Sequence, residues 1–244
     1  MTDEIARLAR AWRADAARWA VDVRLAAAAF AAPVAGALLL AALVGWRRVY
    51  LFVVNEDGPL EWGQAAAWAV AAVLAGVVAW RLASHRRWIL AVLWLVLALG
   101  CIASAGEEIS WGQRVFDLET PDRLEEANEQ DEITLHNLSS VHTLFRLTML
   151  VAGLYGSLLA VAVRWWDRGR HAETVDLLLP PLFLTTFFLI MAGYRSVRIM
   201  FFPDPGPIIS GYGEWAETCL AVGIMAFSLL VWRRLPMATL ANRA

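Results

Sequence analysis

Charged residues are scarce in this sequence. Of its 244 residues, 18% are charged and 59% are hydrophobic, and the mean hydropathy is +0.53. A soluble domain of this length has no interior large enough to bury so much apolar surface. Several uncharged runs reach or approach the roughly 20 residues that cross a bilayer as a helix. The scarcity of charge therefore excludes an ordinary soluble domain and predicts an all-α integral membrane bundle.

Cysteine is nearly absent, and nucleotide-binding motifs are absent. The two cysteines, Cys101 and Cys219, fall inside apolar runs, so the chain has neither a disulfide framework nor a CxxC metal motif. We expect two buried free thiols, with a disulfide between them as the alternative. The sequence has no Walker loop and no GxGxxG motif after a strand. We therefore expect no nucleotide or nucleic-acid partner.

Six long apolar runs predict six transmembrane helices. Tryptophans lie at many of their ends, where an indole keeps its N–H in water and its ring at the acyl boundary. The predicted organisation is an interfacial segment at residues 1–24 and a six-helix domain at residues 25–244. The predicted spans are residues 25–46, 62–80, 88–105, 147–163, 177–194 and 215–232.

Lysine is absent, so the distribution of arginine predicts the orientation. Most arginines lie before the first span, in the second and fourth connections and in the C-terminal tail, while most acidic residues fall on the other side. Short loops rich in positive charge stay on the cytoplasmic side. We therefore expect a multi-pass protein of a bacterial inner membrane with both termini in the cytoplasm.

Residues 4–24 have the pattern of an amphipathic helix, capped by Thr2 or Asp3. We expect it to lie on the inner membrane surface and to bind anionic headgroups. A cleaved signal peptide is the alternative, although arginines interrupt its apolar core. The apolar positions of the helix, spaced by three or four residues, are Ile5, Leu8, Trp12, Ala16, Trp19 and Val23.

Three local patterns predict departures from plain spans. Arg47 and Arg48 precede apolar residues 49–54, which predicts a long, tilted first helix with charge below its outer end. Pro180-Pro181 should kink the fifth span. Residues 152–156 carry a small-x-x-x-small pattern, which is typical of close helix packing.

The third connection, residues 106–146, is the main segment expected outside the membrane, on the outer side. It is acidic, and Thr120-Pro121-Asp122 has the features of a helix start. At its beginning, Glu107 and Glu108 follow the third apolar run without a polar linker. If that helix continues, Glu107, Trp111 and Arg114 share a face, and Glu108 is turned about 100° away. A solvated helix end is the alternative.

A second polar stripe follows in the same connection. Glu129, Glu132 and His136 have helical spacing, and Glu132 and His136 are four residues apart. A glutamate and a histidine at this spacing can ligate one metal ion or act as an acid and base pair. A solvated helix face is the alternative.

Other charged residues are predicted at the same side of the membrane. Glu61 opens the second span, and Arg195 and Arg198 end the fifth within the outer leaflet. Such groups need partners in lipid, and they mark a functional site by default. The groups form either an ion-pair network that fixes helix packing or a pocket in which carboxylates and His136 act while arginines bind an anionic headgroup.

The sequence around these residues resembles a family of uncharacterised bacterial polytopic membrane proteins. The family pattern is Gly-Glu-Glu-Ile-Ser-Trp-Gly-Gln-Arg, then Thr-Pro, then Asn-x-Gln-x-Glu-x-x-Leu-His-Asn, which stands here at residues 106–114, 120–121 and 128–137. The resemblance implies a shared polar site without an assigned activity. The site residues that it favours are Glu107, Glu108, Gln113, Arg114, Asn128, Gln130, Glu132, His136 and Asn137.

Residues 56–62 are loosely similar to the corresponding segment of alkaline ceramidases, membrane hydrolases that hold zinc with three histidines. That family has an HxxxH pair near its carboxyl end, whereas here no histidine follows His171. The outer side offers only His136 and His142. A three-histidine zinc site is therefore excluded on that side.

The first functional hypothesis is an enzyme acting at the outer leaflet on a lipid or lipid-linked headgroup. Its catalytic groups are Glu107, Glu108, Glu132 and His136, and a divalent metal would be held by Glu108, Glu132 and His136. The alternatives are a non-catalytic ligand-binding, transport or membrane-complex subunit, or a scaffold held by ion pairs. The residues assigned to substrate binding are Glu61, Gln113, Arg114, Asn128, Gln130, Asn137, Arg195 and Arg198.

Overall fold

The computed structural model describes residues 2–55, 57–113, 139–167, 172–202 and 206–235. These residues form helices and turns, and none of them lies in a β-strand. The prediction of an all-α chain is confirmed for them, and six helical segments have the length and apolar composition of membrane spans. The segments long and apolar enough to cross a membrane are Val23–Leu43, Arg47–Ser84, Trp88–Glu108, Thr143–Trp166, Glu173–Phe201 and Pro207–Arg234.

The spans are built from the following elements. In the described ranges the α-helices are α1 (Thr2–Arg18), α2 (Val23–Leu43), α3 (Arg47–Val54), α4 (Pro59–Ser84), α5 (Trp88–Glu108), α6 (Ser139–Leu154), α7 (Ala160–Asp167), α8 (Ala172–Leu178), α9 (Thr185–Phe201) and α10 (Pro207–Arg234). A π-helical turn, Tyr155–Leu159, joins α6 to α7. Short 3-10 turns lie at Ser110–Gly112 and Leu182–Leu184. The chain divides into two compact units, one within residues 1–60 and 147–223 and one within 61–146 and 224–244.

In the first unit, the N-terminal helix is shorter than the sequence predicted. It ends at Arg18, and Ala20 turns the chain with a φ of 51°. Asp22 then caps α2, accepting the N–H of Arg24 at 2.8 Å. Within the predicted apolar stripe Ala16 and Trp19 are buried, whereas Val23 begins α2 and is largely exposed.

The helix that begins at Val23 is interrupted before Arg47. The helix α2 stops at Leu43, a turn follows in which Trp46 N–H donates to the Leu43 carbonyl, and α3 restarts at Arg47. Gly45 lies in this turn, and glycine is a poor helix former. The expectation of one long helix through Arg47 and Arg48 is therefore wrong, and both arginines are exposed at the start of α3.

The fifth span is broken where two prolines predicted a kink. The helix α8 ends at Leu178, the buried Pro180 and Pro181 follow, and the span resumes through Leu182–Leu184 into α9. Neither proline can donate a backbone hydrogen bond, and the break in the helix also removes the helical donors of the carbonyls of residues 178–180. Side chains of the fourth span replace the donors of these three carbonyls. Tyr155 donates to Leu178 O at 2.9 Å, and Arg164 donates to Leu179 O at 2.8 Å and to Pro180 O at 3.1 Å.

The fourth and fifth spans pack closely through glycines. A Cβ at Gly153 would lie 2.7 Å from Ala192 N, and one at Gly156 would lie 2.1 Å from the ring of Phe188. The π turn begins at this contact, and Ser157 donates to Gly153 O at 2.6 Å within it. The close packing that the small-residue pattern predicted is therefore present, with Gly153 as the tightest backbone approach.

The carbonyls around Pro33 in α2 are also hydrogen-bonded by neighbouring helices of the first unit. Thr186 Oγ1 in α9 donates to Phe30 O at 2.7 Å, and Trp215 Nε1 in α10 donates to Pro33 O at 3.0 Å. The Trp215 ring lies where a Cβ at Gly36 would be. These bonds tie three spans of the unit together at the level of a proline.

The second unit is built on an alanine-rich face of α4. Ala71, Ala75 and Val78 are fully buried. Near the C-terminal end of this face, Arg81 donates to Trp232 O at 2.7 Å and to Leu235 O at 2.6 Å, and its guanidinium lies 5.3 Å from the Trp232 ring centroid. A cation that binds the last carbonyls of a helix stabilises its C-terminus.

Both cysteines are buried and free, so the expectation of two buried free thiols is confirmed. Each lies within a membrane-spanning segment, Cys101 in α5 and Cys219 in α10. The described fold is therefore stable without a disulfide between them.

Because the fourth and fifth spans pack closely at Gly153, a larger residue at this position should destabilise the fold. Gly153→Ala places a methyl group against backbone atoms of α9, which cannot rotate away as a side chain can. We expect the free energy of unfolding to fall by about 1–3 kcal/mol. Equilibrium unfolding in detergent mixtures measures it. The control is Gly193→Ala in α9, where a Cβ meets nothing within 4 Å, and an equal loss in both variants would contradict the packing.

Candidate functional site

The structure describes some of the predicted site residues. Glu61, Glu107, Glu108 and Gln113 belong to the second unit, and Arg195 and Arg198 belong to the first. Each group is therefore considered within its own unit. Outside the described residues lie Arg114, Asn128, Gln130, Glu132, His136, Asn137 and the expected helix start at Thr120.

Glu108, the last residue of α5, is held by a fully buried amide. Gln64 Nε2 in α4 donates to Glu108 Oε1 at 2.5 Å, and the Gln64 side chain is inaccessible to solvent. An amide inside an apolar helix needs a hydrogen-bond partner because lipid supplies none. The pair therefore fixes the orientation of Glu108 and joins α4 to α5 at the end of the third span.

Glu107 is buried beside Glu108 and is held by a tryptophan. Trp111 Nε1 donates to Glu107 Oε1 at 2.7 Å. The contact is made by a turn, because α5 ends at Glu108 and three residues with positive φ follow: Ser110 at 48°, Trp111 at 53° and Gly112 at 85°. The helical continuation that would place Glu107 and Trp111 on one face does not occur, but the two side chains meet nevertheless.

The turn stores strain. A residue other than glycine in the left-handed region costs about 1–3 kcal/mol, and such residues cluster at functional sites. Ser110 and Trp111 are two in succession. Gly106 permits the turn to close, since a Cβ there would lie 2.9 Å from ring atoms of Trp111. The turn within residues 106–112 therefore carries a conformational cost, and it accompanies two oriented carboxylates at the end of α5.

Glu61 and Gln113 are half-buried in the same unit. Glu61 lies in the first turn of α4, three residues before Gln64, so the two share a face of that helix. A carboxylate near a helix N-terminus interacts favourably with the helix dipole. Gln113 follows the strained turn directly.

Arg195 and Arg198 are buried near the C-terminal end of α9. Arg195 Nη2 forms an ion pair with Glu217 Oε1 of α10 at 2.5 Å. The Tyr194 ring lies 5.6 Å from the Arg195 guanidinium and 6.0 Å from that of Arg198. The need of Arg195 for a partner is thus met inside the protein, between the fifth and sixth spans.

Tyrosines hold the first turn of α10 close to these arginines. Tyr194 OH donates to Ile209 O at 3.2 Å, and Tyr50 OH donates to Ile208 O at 2.7 Å. Gly211 and Gly213 leave room for the two hydroxyl groups, because a Cβ at either position would lie under 3 Å from one of them. These bonds hold the start of α10, the helix that carries Glu217, against α3 and α9.

Sequence reasoning missed Gln64 and Glu217. Each is a polar residue inside an apolar run, Gln64 in the second predicted span and Glu217 in the sixth, and this is a usable signal. Neither the identity of their partners nor the direction of the Ser110–Gly112 turn follows from spacing alone.

One of the proposed metal ligands, Glu108, belongs to the described part of the chain. Among the residues that the structure describes, no three His, Cys, Asp or Glu side chains are grouped to hold a metal ion. Of the three proposed ligands only Glu108 is described. Its hydrogen bond from Gln64 is the kind of contact that orients a metal-bound carboxylate, so Glu108 is compatible with the role.

No family model, curated protein or solved structure matches this chain. The likeness to the uncharacterised bacterial membrane proteins stays an interpretation of residues 106–137.

The contact between Gly106 and Trp111 predicts a non-additive pair of substitutions. Gly106→Ala should lower the free energy of unfolding by about 1–3 kcal/mol, because the methyl group collides with the indole. In a Trp111→Ala background the same change should cost little, since the ring is gone. Thermal unfolding of the four proteins measures this coupling. Gly100→Ala in the same helix, where a Cβ meets nothing within 4 Å, is the control, and additive losses would contradict the turn.

Proposed function

We propose that the protein is an integral-membrane enzyme that acts on a lipid or lipid-linked headgroup. Glu107 and Glu108 are its described acid and base candidates, and Glu132 and His136 are the further candidates from the sequence. One observation carries the proposal. Two adjacent carboxylates stand at the end of a membrane-spanning helix, each held by a neutral donor, in a strained turn that requires Gly106.

The geometry favours chemistry over a solvated helix end. A solvated carboxylate needs no buried amide to orient it and no left-handed residues after it. Catalytic carboxylates, in contrast, must be held within a fraction of an ångström by residues whose own positions are locked. Gln64 is held by complete burial, and the Trp111 indole packs against Gly106 while 46% of the residue is exposed. These are the features expected of groups that transfer protons.

The location favours a lipid as substrate. Glu107 and Glu108 end the Trp88–Glu108 segment, which is long enough to cross the hydrocarbon core. The end of such a helix lies at the level of lipid headgroups. A headgroup can therefore meet these carboxylates without leaving the bilayer, whereas a water-soluble substrate needs no membrane-embedded site.

A divalent metal is compatible with this proposal. Glu108, Glu132 and His136 would hold it, and a bound ion would supply Lewis-acid activation of a headgroup oxygen or of water. Without a metal, Glu108 and His136 would share the proton transfers. The metal content of purified protein beside a His136→Ala variant separates the two.

The proposal predicts that Glu108→Gln abolishes turnover and leaves the fold intact. The amide keeps the size of the side chain but can neither take up a proton at neutral pH nor ligate a cation well. Purified protein is incubated with a total bacterial lipid extract, and lipids consumed or formed are followed by mass spectrometry. We expect a loss of at least about 100-fold for a removed acid or base.

The matched control is Glu173→Gln, an exposed glutamate in the first turn of α8. It should keep full turnover. Equal turnover in Glu108→Gln and wild type would contradict the assigned role. If wild type changes no lipid in any extract, with or without added divalent metal, the enzyme proposal fails.

The second candidate is a non-catalytic binding, transport or membrane-complex subunit whose polar groups are an ion-pair network. The observation that favours it is the Arg195–Glu217 pair, in which one charge of the expected substrate site is neutralised inside the protein. A pair of this kind fixes helix packing and leaves less charge for an anionic headgroup.

A charge swap tests the second candidate. Arg195→Glu alone should destabilise by about 3–5 kcal/mol, because it faces Glu217 with a like charge in a buried place. If the pair only fixes packing, the double variant Arg195→Glu/Glu217→Arg should regain most of the stability and all of the function in cells. Regained stability with lost function would instead assign Arg195 to ligand recognition. Unfolding and growth complementation are the two measurements.

A further inference from the structure

The N-terminal helix α1, which is not one of the spans, contacts the break in the fifth span. Leu182 carries the first backbone N–H after Pro180-Pro181, and this N–H donates to Asp15 Oδ2 of α1 at 2.6 Å. The other oxygen of Asp15 lies 3.3 Å from Arg164 Nη1. One carboxylate of α1 thus caps the helical segment that leads into α9 and also contacts the arginine that binds the last carbonyls of α8.

Arg164 is shared between two carboxylates. Its Nη1 lies 2.8 Å from Asp176 Oδ1 in α8 as well as 3.3 Å from Asp15 Oδ1. All three side chains are more than nine-tenths buried. Arg18 of α1 adds a longer contact of 3.7 Å to Asp176. The network therefore joins α1 to both halves of the broken span.

The helix α1 has one apolar face, and the protein covers its described part. Ala16 and Trp19 are buried and Trp12 is half-buried, on the side that carries Asp15. Arg10 and Arg13 lie on the opposite, exposed side. An amphipathic helix binds a bilayer by inserting its apolar face, with arginines attracted to anionic headgroups. The docked position and a bilayer-bound position therefore use the same face and exclude one another.

Docking carries a cost at Asp15. Burial raises the pKa of this carboxyl above its ordinary value, although Arg164 and the Leu182 N–H act in the opposite direction. Burial thus penalises the charged form that makes the contacts. A docked helix with such a penalty can be displaced by a competing surface more readily than one held by apolar contacts alone.

We propose that α1 is a latch on the broken fifth span, docked through Asp15 and released when an anionic lipid surface binds its arginine and apolar faces. Release removes the acceptor of the Leu182 N–H and one of the two carboxylates of Arg164. The α8–α9 break then loosens. The proposal concerns α1 and the break in the fifth span, and it does not depend on the enzyme proposal.

Hydrogen exchange of the full-length protein in lipid nanodiscs tests the latch. Nanodiscs of phosphatidylcholine are compared with nanodiscs rich in phosphatidylglycerol, and exchange is followed at the amides of residues 182–185. In wild type we expect roughly tenfold faster exchange in the anionic lipid, since a charge-assisted bond to a backbone N–H is lost. Asp15→Asn should show the faster exchange already in phosphatidylcholine.

The matched control is Asp22→Asn. Asp22 also accepts a backbone N–H, at the start of α2, and asparagine caps a helix equally well, so exchange at residues 182–185 should not change. The double variant Arg10→Gln/Arg13→Gln keeps Asp15 and should stay docked in anionic lipid, with slow exchange. The exchange measured in this double variant tests the latch even if Asp15→Asn fails to fold.

Two results would overturn the latch. One is exchange at residues 182–185 that is the same for wild type in both lipids, which means that the anionic surface does not compete for α1. The other is fast exchange of the Arg10→Gln/Arg13→Gln variant in phosphatidylglycerol, which means that the lipid acts elsewhere.

Discussion

The structure depends on one constraint: a polar group inside a membrane-spanning helix has no water to bind, so the protein must supply its partner. The break of the fifth span meets this demand: Arg164 and Tyr155 bind the carbonyls that the break leaves without helical donors, and Asp15 binds the next N–H. Elsewhere Gln64 binds Glu108, and Arg195 binds Glu217. The contacts that satisfy the constraint are also those that position the candidate functional groups.

Much of this architecture was readable from the sequence because hydrocarbon thickness and proline chemistry are strong, local rules. Six apolar runs, a break at Pro180-Pro181 and buried arginines in need of partners all follow from residue type and run length. The interruption at Gly45 did not, because a glycine in an apolar run is equally compatible with a continuous membrane helix. The reversal at Ser110 and Trp111 did not either, since left-handed conformations of such residues are stabilised by tertiary contacts that spacing does not encode.

The neighbouring glutamates at the end of α5 show how tertiary contacts assign different surroundings to identical residues. Glu108 accepts a hydrogen bond from Gln64 of the second span, whereas Glu107 accepts one from Trp111 in the turn that follows its own helix. Sequence position alone treats them as a pair. In the fold each of them accepts a hydrogen bond from a different side chain.

The π turn at Tyr155–Leu159 has a consequence for how the chain can vary in length. A π turn holds one residue more than a regular helical turn. The turn absorbs that extra residue, so the helix beyond it keeps the orientation that a regular helix one residue shorter would have. Gly153 thereby keeps its contact with α9 while Arg164 reaches the carbonyls of Leu179 and Pro180. Deleting one residue within Tyr155–Leu159 should therefore restore a regular helix and preserve both contacts, whereas a second deletion there would rotate Arg164 by about 100° relative to Gly153.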